Sequence, residues 1–557
     1  MNALYLMVAG LGAFTVGYLV YSRFISERIF QLNPEFRTPA HVQEDGVDFV
    51  PTNRWVLWGH HFTSVAGAAP IVGPAIAVIW GWLPAFLWIT LGTVFFAGIH
   101  DAGALWASVR NEGKSIGALT ESVVGKRARS LFMIIIFLLL LMVNAVFAII
   151  IARLFVQHPT SVIPAWFVIA VAITIGYLLY RRGVALLWPS IIGVTLLYAS
   201  MLVGNQIPLS LPESMFGLGP AGIWVVILFT YAAIASLLPV WLLLQPRDYI
   251  NGLQLFIGLG IFFLAVLLAR PEVVAPMINP SVPDDVPPIF PLLFVTIACG
   301  ACSGFHGLVS SGTTSKQVNN EQDVRFVGFL GTVGEGSLAL AAIIACTAGF
   351  ATLGDWQGYY TSFATNGIDA FVQGGGGILA SIPGISESFG RTLLAVMAIL
   401  FAATTMDTGV RLLRYIVQEW GTIYDIPVLT GKGLSTVLAV GCCLALAFGS
   451  GGGGEGGLII WPLFGTTNQL LAALTLLVLS VFILKQGRPT VYTLAPFSFL
   501  LFMTVWALLT QLRGFYDNEQ YFLLGLDAVI LVTAIWVGLE SLSALRKAAS
   551  ESRESSA

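Results

Sequence analysis

The residues best placed to do chemistry in this chain are ionisable side chains set inside long apolar runs. Asp101 follows His100 in Ala-Gly-Ile-His-Asp-Ala-Gly, and Glu335 stands in Val-Gly-Glu-Gly-Ser, both within stretches otherwise free of charge. An ionisable group in a membrane-length apolar run is costly, and so is a functional candidate by default. Asp101 could exchange a proton or pair with the cationic end of a substrate; the alternative is a charge at the cytoplasmic end of a span, snorkelling to water. Glu335 is deeper by count and is the stronger proton-relay candidate, because reversible protonation needs a carboxyl whose surroundings disfavour its charge. His60 and His61 stand just before a segment rich in helix breakers, where an imidazole suits proton coupling; one of them could equally be a structural histidine. Asp407 and Arg411 are four residues apart on one helix face. That spacing predicts a structural ion pair, with Asp407 kept as a proton-coupling candidate.

Two further signals share the run 290–312. Ser310, Ser311, Thr313 and Thr314 offer hydroxyl oxygens of the kind hard cations need, although such runs also cap helices. With carbonyls freed in the segment after His61, they form a candidate cation site. Cys299, Cys302 and His306 recur at spacings of three and four, which on one helix places them on one stripe. Thiolate and imidazole suit a metal ion or haem, with His60, His61 or His100 supplying a fourth ligand; the competing account is thiols lining a packed helix. No cofactor is assigned with certainty. The tract Ser450–Gly457 is glycine-rich, but no Gly-Lys-Ser/Thr follows, so it reads as an external hairpin rather than a phosphate loop.

The elements that must position these residues follow from composition. Of 557 residues 57% are hydrophobic and only 10% charged, with a mean hydropathy of +0.86. A soluble domain carries roughly a quarter charged residues, so the bilayer is the solvent. The net charge of −3 and the scattered Lys and Arg exclude nucleic acid as a partner. Five cysteines in apolar segments give no disulfide framework. The length rule marks about fifteen spans, near 3–24, 58–80, 82–109, 130–156, 161–180, 184–204, 221–244, 252–269, 290–312, 325–350, 391–415, 432–449, 458–484, 489–511 and 520–545. Lys and Arg collect after alternate spans, for example Arg23 and Arg28, Arg110 and Lys114, Arg181 and Arg182, Arg247, Lys316 and Arg325. By the positive-inside rule the N-terminus is outside and the C-terminal tail cytoplasmic.

Two spans carry breakers at their centres. Span 58–80 contains Gly67, Ala68, Pro70, Gly73 and Pro74, and span 221–244 contains Ser236 and Pro239. Discontinuous helices at matching positions of inverted halves point to a transport site near the midplane. Gly67, Ala68, Pro70, Gly73, Ser236 and Pro239 are therefore the expected substrate-binding positions. There the positive ends of half-helices would receive a carboxylate.

Motifs along most of the chain carry a resemblance. Thr38-Pro39-Ala40, Asp45-Gly46-Val47-Asp48-Phe49-Val50-Pro51-Thr52, Gly59-His60-His61-Phe62, Ala66-Gly67-Ala68-Ala69-Pro70-Ile71-Val72-Gly73-Pro74, Ser303-Gly304-Phe305-His306, Thr405-Met406-Asp407-Thr408 and Trp461-Pro462-Leu463-Phe464-Gly465 occur in order. With them the chain resembles the carbon starvation protein A (CstA) family of peptide and pyruvate transporters. The resemblance implies an all-α polytopic protein with a five-plus-five inverted-repeat core like that of amino-acid transporters. Its first repeat would fall in 58–204 and its second in 221–415, flanked by a first helix and cytoplasmic loop in 1–57, extra helices in 432–545 and a tail in 546–557. It further implies a secondary transporter of the inner membrane, not an enzyme, induced on carbon starvation. Such a protein imports peptides or a small carboxylate such as pyruvate, with a proton or, as the alternative, sodium. A membrane-embedded metal or haem redox protein is the competing class.

Overall fold

A computed structural model describes residues 1–46, 48–184, 187–215, 217–239, 242–363, 367–449 and 460–554. Among these residues the chain is almost wholly helical, with no β-strand. That is the outcome a bilayer enforces when every backbone N–H and C=O must be satisfied within its own segment. The helices that matter here are α1 (Ala3–Phe30), α2 (Arg54–Ala66), α3 (Ala69–Trp80), α4 (Trp82–Arg110) and α5 (Lys126–Gln157). They continue as α6 (Val162–Arg182), α7 (Leu187–Gln206), α8 (Pro220–Leu237), α9 (Leu244–Ala269), α10 (Ile289–Thr296) and α11 (Gly304–Gly312). Next come α12 (Arg325–Ala348), α13 (Gly367–Leu379), α14 (Glu387–Ile423) and α15 (Lys432–Gly449). The last three are α16 (Trp461–Lys485), α17 (Val491–Asp517) and α18 (Tyr521–Glu554).

Thirteen helices among the described residues are long and apolar enough to cross a membrane, and the pair α2–α3, bent by 47°, raises this to as many as 14. The remaining expected span, 290–312, consists of α10 and α11, neither of which can cross alone at ~1.5 Å per residue. The polypeptide is thus a multi-pass membrane protein. Its centre is α5, α12, α14 and α16, which are mostly buried within the protein, whereas α1, α7 and α15 keep apolar side chains on the outside. The two long helices α5 and α14 pack on each other.

One expected break is where the sequence placed it and the other is not. The α2 helix stops at Ala66 because Gly67 takes φ +50, a left-handed conformation that glycine adopts without a Cβ clash. Span 221–244, by contrast, is not interrupted at its middle. The α8 helix runs unbroken to Leu237, and Pro239 lies in the connection to α9, of which Val240 and Trp241 fall outside the described residues. A proline beyond a helix end removes no internal hydrogen bond. The second discontinuous span is 289–312, broken over Ile297–Ser303 without any proline. The tract Ser450–Gly457, expected as a hairpin, and the start of span 458–484 lie outside the described residues.

The two broken spans pack against each other, and at Gly73 their backbones come close. A Cβ on Gly73 of α3 would lie 2.5 Å from the carbonyl oxygen of Thr296 and 3.3 Å from Cα of Ile297, both backbone atoms. Gly73→Val is therefore expected to push the broken spans apart at a cost of about 1–3 kcal/mol. The check is thermal unfolding in detergent, with Gly12→Val, whose added Cβ meets nothing within 4 Å, as the control that should leave the midpoint in place.

Candidate functional site

A fully buried polar chain joins three helices. Asp101 on α4 accepts hydrogen bonds from Nδ1 of His100 at 2.7 Å and from Nδ1 of His306 at 2.8 Å. The other ring nitrogen of His306 lies 3.2 Å from Oε1 of Glu335 on α12. All four side chains are buried. His306 thus bridges two carboxyl groups from different helices, and its position one turn into α11 follows from the break before Ser303. Asp101 does not snorkel; it is fully enclosed and paired. His61 is buried on α2, with Nδ1 3.0 Å from Oγ1 of Thr314, and its ring lies against Gly331, one turn from Glu335. His60 is only half-buried and outside this chain.

The break before α11 is held from α16 and α4. Asn468 accepts from the backbone N–H of Phe305 at 2.9 Å and donates to Ser303 Oγ and Cys299 Sγ, each at 3.0 Å. A helix start leaves amides without intrahelical partners, and Asn468 satisfies one of them from another helix. The freed carbonyls of Ile297 and Gly300 accept from Trp88 Nε1 at 3.3 Å and Thr93 Oγ1 at 3.4 Å, both on α4.

Between the two breaks is a small cavity. It is lined by Val65, Ala66, Gly67 and Ala69 at the α2–α3 break, by Cys299 and Phe305 at the second, and by Val143, Phe147, Thr405 and Phe464 from α5, α14 and α16. All of these are buried. Thr405 Oγ1 is buried without a hydrogen-bond partner among the described residues and would lie 2.8 Å from a Cβ built on Gly67. At the far end of α4 the Arg110 guanidinium forks onto Glu321, with Nη2 2.8 Å from Oε2, and Glu321 also accepts from the N–H of Asn33 at 2.6 Å. These contacts tie the loop after α1 to the loop after α11 and to the end of α4.

Several sequence expectations need correction. Ser236 donates to the carbonyl of Ala233 at 3.0 Å, and neither it nor Pro239 lines the cavity; of the six substrate positions Gly67 does so, Ala68 completes the break, Pro70 opens α3 and Gly73 forms the contact between broken spans. The hydroxyl quartet does not converge. Ser311 donates to Gly307 O at 2.6 Å and accepts from Ile116 N at 2.9 Å, Thr313 donates to Val309 O at 3.0 Å, Thr314 meets His61, and Ser310 is buried with no partner among the described residues. The stripe of Cys299, Cys302 and His306 presumed one continuous helix, and the break removes it. Among the described residues no three His, Cys, Asp or Glu side chains, His60, His61 and His100 included, are arranged to hold a metal ion.

The pair Asp407–Arg411 is also replaced. Arg411 donates to the carbonyls of Ala235 and Leu238, at 3.1 and 2.7 Å, capping the C-terminus of α8. Asp407 instead pairs closely with Arg247, and Tyr231 donates to the same carboxylate at 2.8 Å. Arg247 was counted as a loop charge, but it is 1% exposed inside α9. The signal that could have found it is the dipeptide Arg247-Asp248 at the edge of an apolar run.

Two spans broken around a buried cavity, with an ionisable chain reaching one break, define a helical membrane transporter. Solved structures of the Eremococcus coleocola manganese transporter share this fold, one with a TM-score of 0.53 at 13% identity, covering 90% of this chain and 99% of that one, and one in complex with an aromatic bis-isothiourea compound with a TM-score of 0.52 at 14% identity, covering 91% and 99%. Residues 2–355 and 354–507 match the family described as carbon starvation protein CstA, and the chain belongs to that family. It is 32% identical to the peptide transporter CstA of Campylobacter jejuni over 93% of this chain and 82% of that one. It is 31% identical to the pyruvate/proton symporter BtsT of Escherichia coli K12, with the same coverage, and 29% identical to the peptide transporter CstA of Bacillus subtilis 168 over 93% and 92%.

Proposed function

We propose that the protein is a proton-coupled symporter that imports peptides or a small carboxylate such as pyruvate, with its N-terminus outside and its tail in the cytoplasm. The observation that carries this reading is the buried sequence Asp101–His306–Glu335, which links α4, the half-helix α11 and α12 beside the cavity. A proton held between His306 and either carboxyl changes the charge next to the second break, so loading it biases how α11 sits against α4 and α12. The substrate carboxylate is received at the α2–α3 break, where Ala68 has no side-chain cap and the start of α3 presents its positive end. The names of the relatives supply the substrate classes.

The position of the second break supports two inverted repeats over about 54–269 and 289–485, shifted from the halves expected from sequence. In each, a broken span packs against the last helix of its own repeat, α2 on α9 and α11 on α16. The first repeat then holds two more membrane-length spans than the second.

The test is uptake of a labelled dipeptide and of pyruvate into proteoliposomes, with and without an inward proton gradient and with sodium present or absent. Accumulation should follow the proton gradient and increase as external pH falls. Glu335→Gln, which keeps the side-chain shape but cannot bind or release the proton, should lose that pH dependence and accumulate less than a tenth of the wild-type amount. Accumulation that follows sodium instead transfers coupling to the free hydroxyl of Thr405, and a pH-dependent Glu335→Gln variant removes Glu335 from the mechanism.

A further inference from the structure

Asp527 lies outside the transport site, and among the described residues no basic side chain hydrogen-bonds its carboxylate. It is on α18 within a stretch apolar enough to cross the membrane, it is 0% exposed, and neither carboxylate oxygen has a hydrogen-bond partner among the described residues. Its height in the bundle follows from the α17–α18 hairpin. Gln511 and Asp527 are each about six residues from the connection at 518–520, some ~9 Å along antiparallel helices, so they occupy one layer. Gln511 donates from Nε2 to Thr466 Oγ1 at 2.7 Å, which brings α16 into that layer. The carbonyl oxygen of Gln511 is buried and unpartnered, and so are both amide atoms of Gln469, one turn along α16 from Thr466.

An isolated ionised carboxylate in such surroundings is far too costly to persist, and buried unpartnered polar atoms on this scale are rare unless a proton, water or ion completes them. Among the described residues no basic side chain donates to either oxygen. Between Trp461 and Leu484, α16 has no ionisable residue. On α17, Arg513 is exposed and faces Asp517 at 3.7 Å, and Tyr516 and Glu519 are exposed near the connection. On α5 the cation nearest in sequence height is Arg153, and neither Asp527 oxygen accepts a hydrogen bond from it. Along α18 the next ionisable residues are Tyr521 and Glu540. A neutral carboxyl needs one acceptor for its proton, and the free oxygen of Gln511 at the same height is suited to be that acceptor.

We propose that Asp527 is a second proton-binding site, separate from the Asp101–His306–Glu335 chain, which holds a proton on its carboxyl in the α16–α18 layer and exchanges it with water at the 518–520 connection. On release, the O–H bond of the carboxyl breaks, the proton passes to water, and the electron pair stays on the carboxylate. One residue before Gln469, Asn468 holds the start of α11, so α16 places this layer back to back with the transport site. The consequence for transport rests on the proton-symport reading above; the binding of the proton does not.

The full-length protein in liposomes is treated with dicyclohexylcarbodiimide, which reacts with protonated carboxyls in apolar surroundings, and Asp527 is read by peptide mass spectrometry. An adduct at Asp527 is expected near neutral pH, falling several-fold as the pH is raised. Asp527→Asn should lack it and melt within about 2 °C of the wild type, because an amide replaces a neutral carboxyl with little change in shape. Its uptake should lose part of the pH dependence that the wild type shows. Absence of the adduct in the wild type, or an adduct independent of pH, overturns the proposal. If that variant does not fold, the wild-type adduct and its pH dependence decide. Both labelling and melting are read without substrate, so a protein that fails to accumulate peptide or pyruvate with protons would still answer this question.

Discussion

Asp101→Ala is expected to abolish accumulation of substrate and to lower the stability of the protein by about 3–5 kcal/mol, the cost of leaving one side of a buried charged pair uncompensated. Asp101 takes hydrogen bonds from two imidazoles, at 2.7 and 2.8 Å, inside a shell with no solvent contact. Truncation leaves His100 with its Nδ1 unanswered and His306 with Glu335 alone, at 3.2 Å. The desolvation cost of both rings is then left without the acceptor that offset it. Asp101→Asn is the milder case: it keeps the shape but removes the charge, and should fold while failing to transport. Melting in detergent and uptake in proteoliposomes separate the two effects. A stable, active Asp101→Ala protein would remove this residue from both structure and mechanism.

Arg247→Leu is expected to be as damaging to folding, again by about 3–5 kcal/mol, although Arg247 does not line the cavity between the two breaks. The guanidinium is closely paired with Asp407 and 4.0 Å from Asp248, and it donates to Tyr231 at 2.6 Å. Its loss leaves two acidic side chains in the interior with only the Tyr231 hydroxyl on Asp407. The second variant that decides the matter is Arg247→Leu with Asp407→Leu, which removes both members of the close pair and should recover part of the loss, since an apolar replacement of a buried pair is often neutral or better, while Asp248 still lacks its cation. The difference between the double variant and the sum of the singles measures the coupling. If the single variant melts like the wild type, the pair does not hold α9 to α14.

The parts of the site legible in the sequence were those whose signal is local. Asp101 and Glu335 announced themselves because a charge in an apolar run has no inexpensive explanation. The α2–α3 break was equally plain, because glycine and proline act on the backbone at their own positions. Pro239 misled for the same reason: a proline is visible, but whether it interrupts a span or follows its end depends on where the helix stops. The break over Ile297–Ser303 had no proline to mark it, and what stabilises it is distant in sequence, namely Trp88, Thr93 and Asn468 donating or accepting across helices. Regular 3.6-residue spacing then suggested a metal stripe on a helix that does not exist. Asp407 followed a similar course, since an i, i+4 partner is inferred from spacing alone, and Arg411 satisfies carbonyls of α8 instead.

By itself the sequence determined that the bilayer is the solvent, that the chain crosses it many times as helices, that Gly67 and its neighbours break one span, and, through its motifs, that the family is CstA. Each of these depends on composition, run length or a residue's own backbone preference. Only the tertiary structure decided where the second break falls, that His306 joins Asp101 to Glu335, and that Arg247 rather than Arg411 answers Asp407. Those choices depend on which side chain from another helix reaches a freed amide, carbonyl or charge, and partners on different helices leave no periodic trace in the chain.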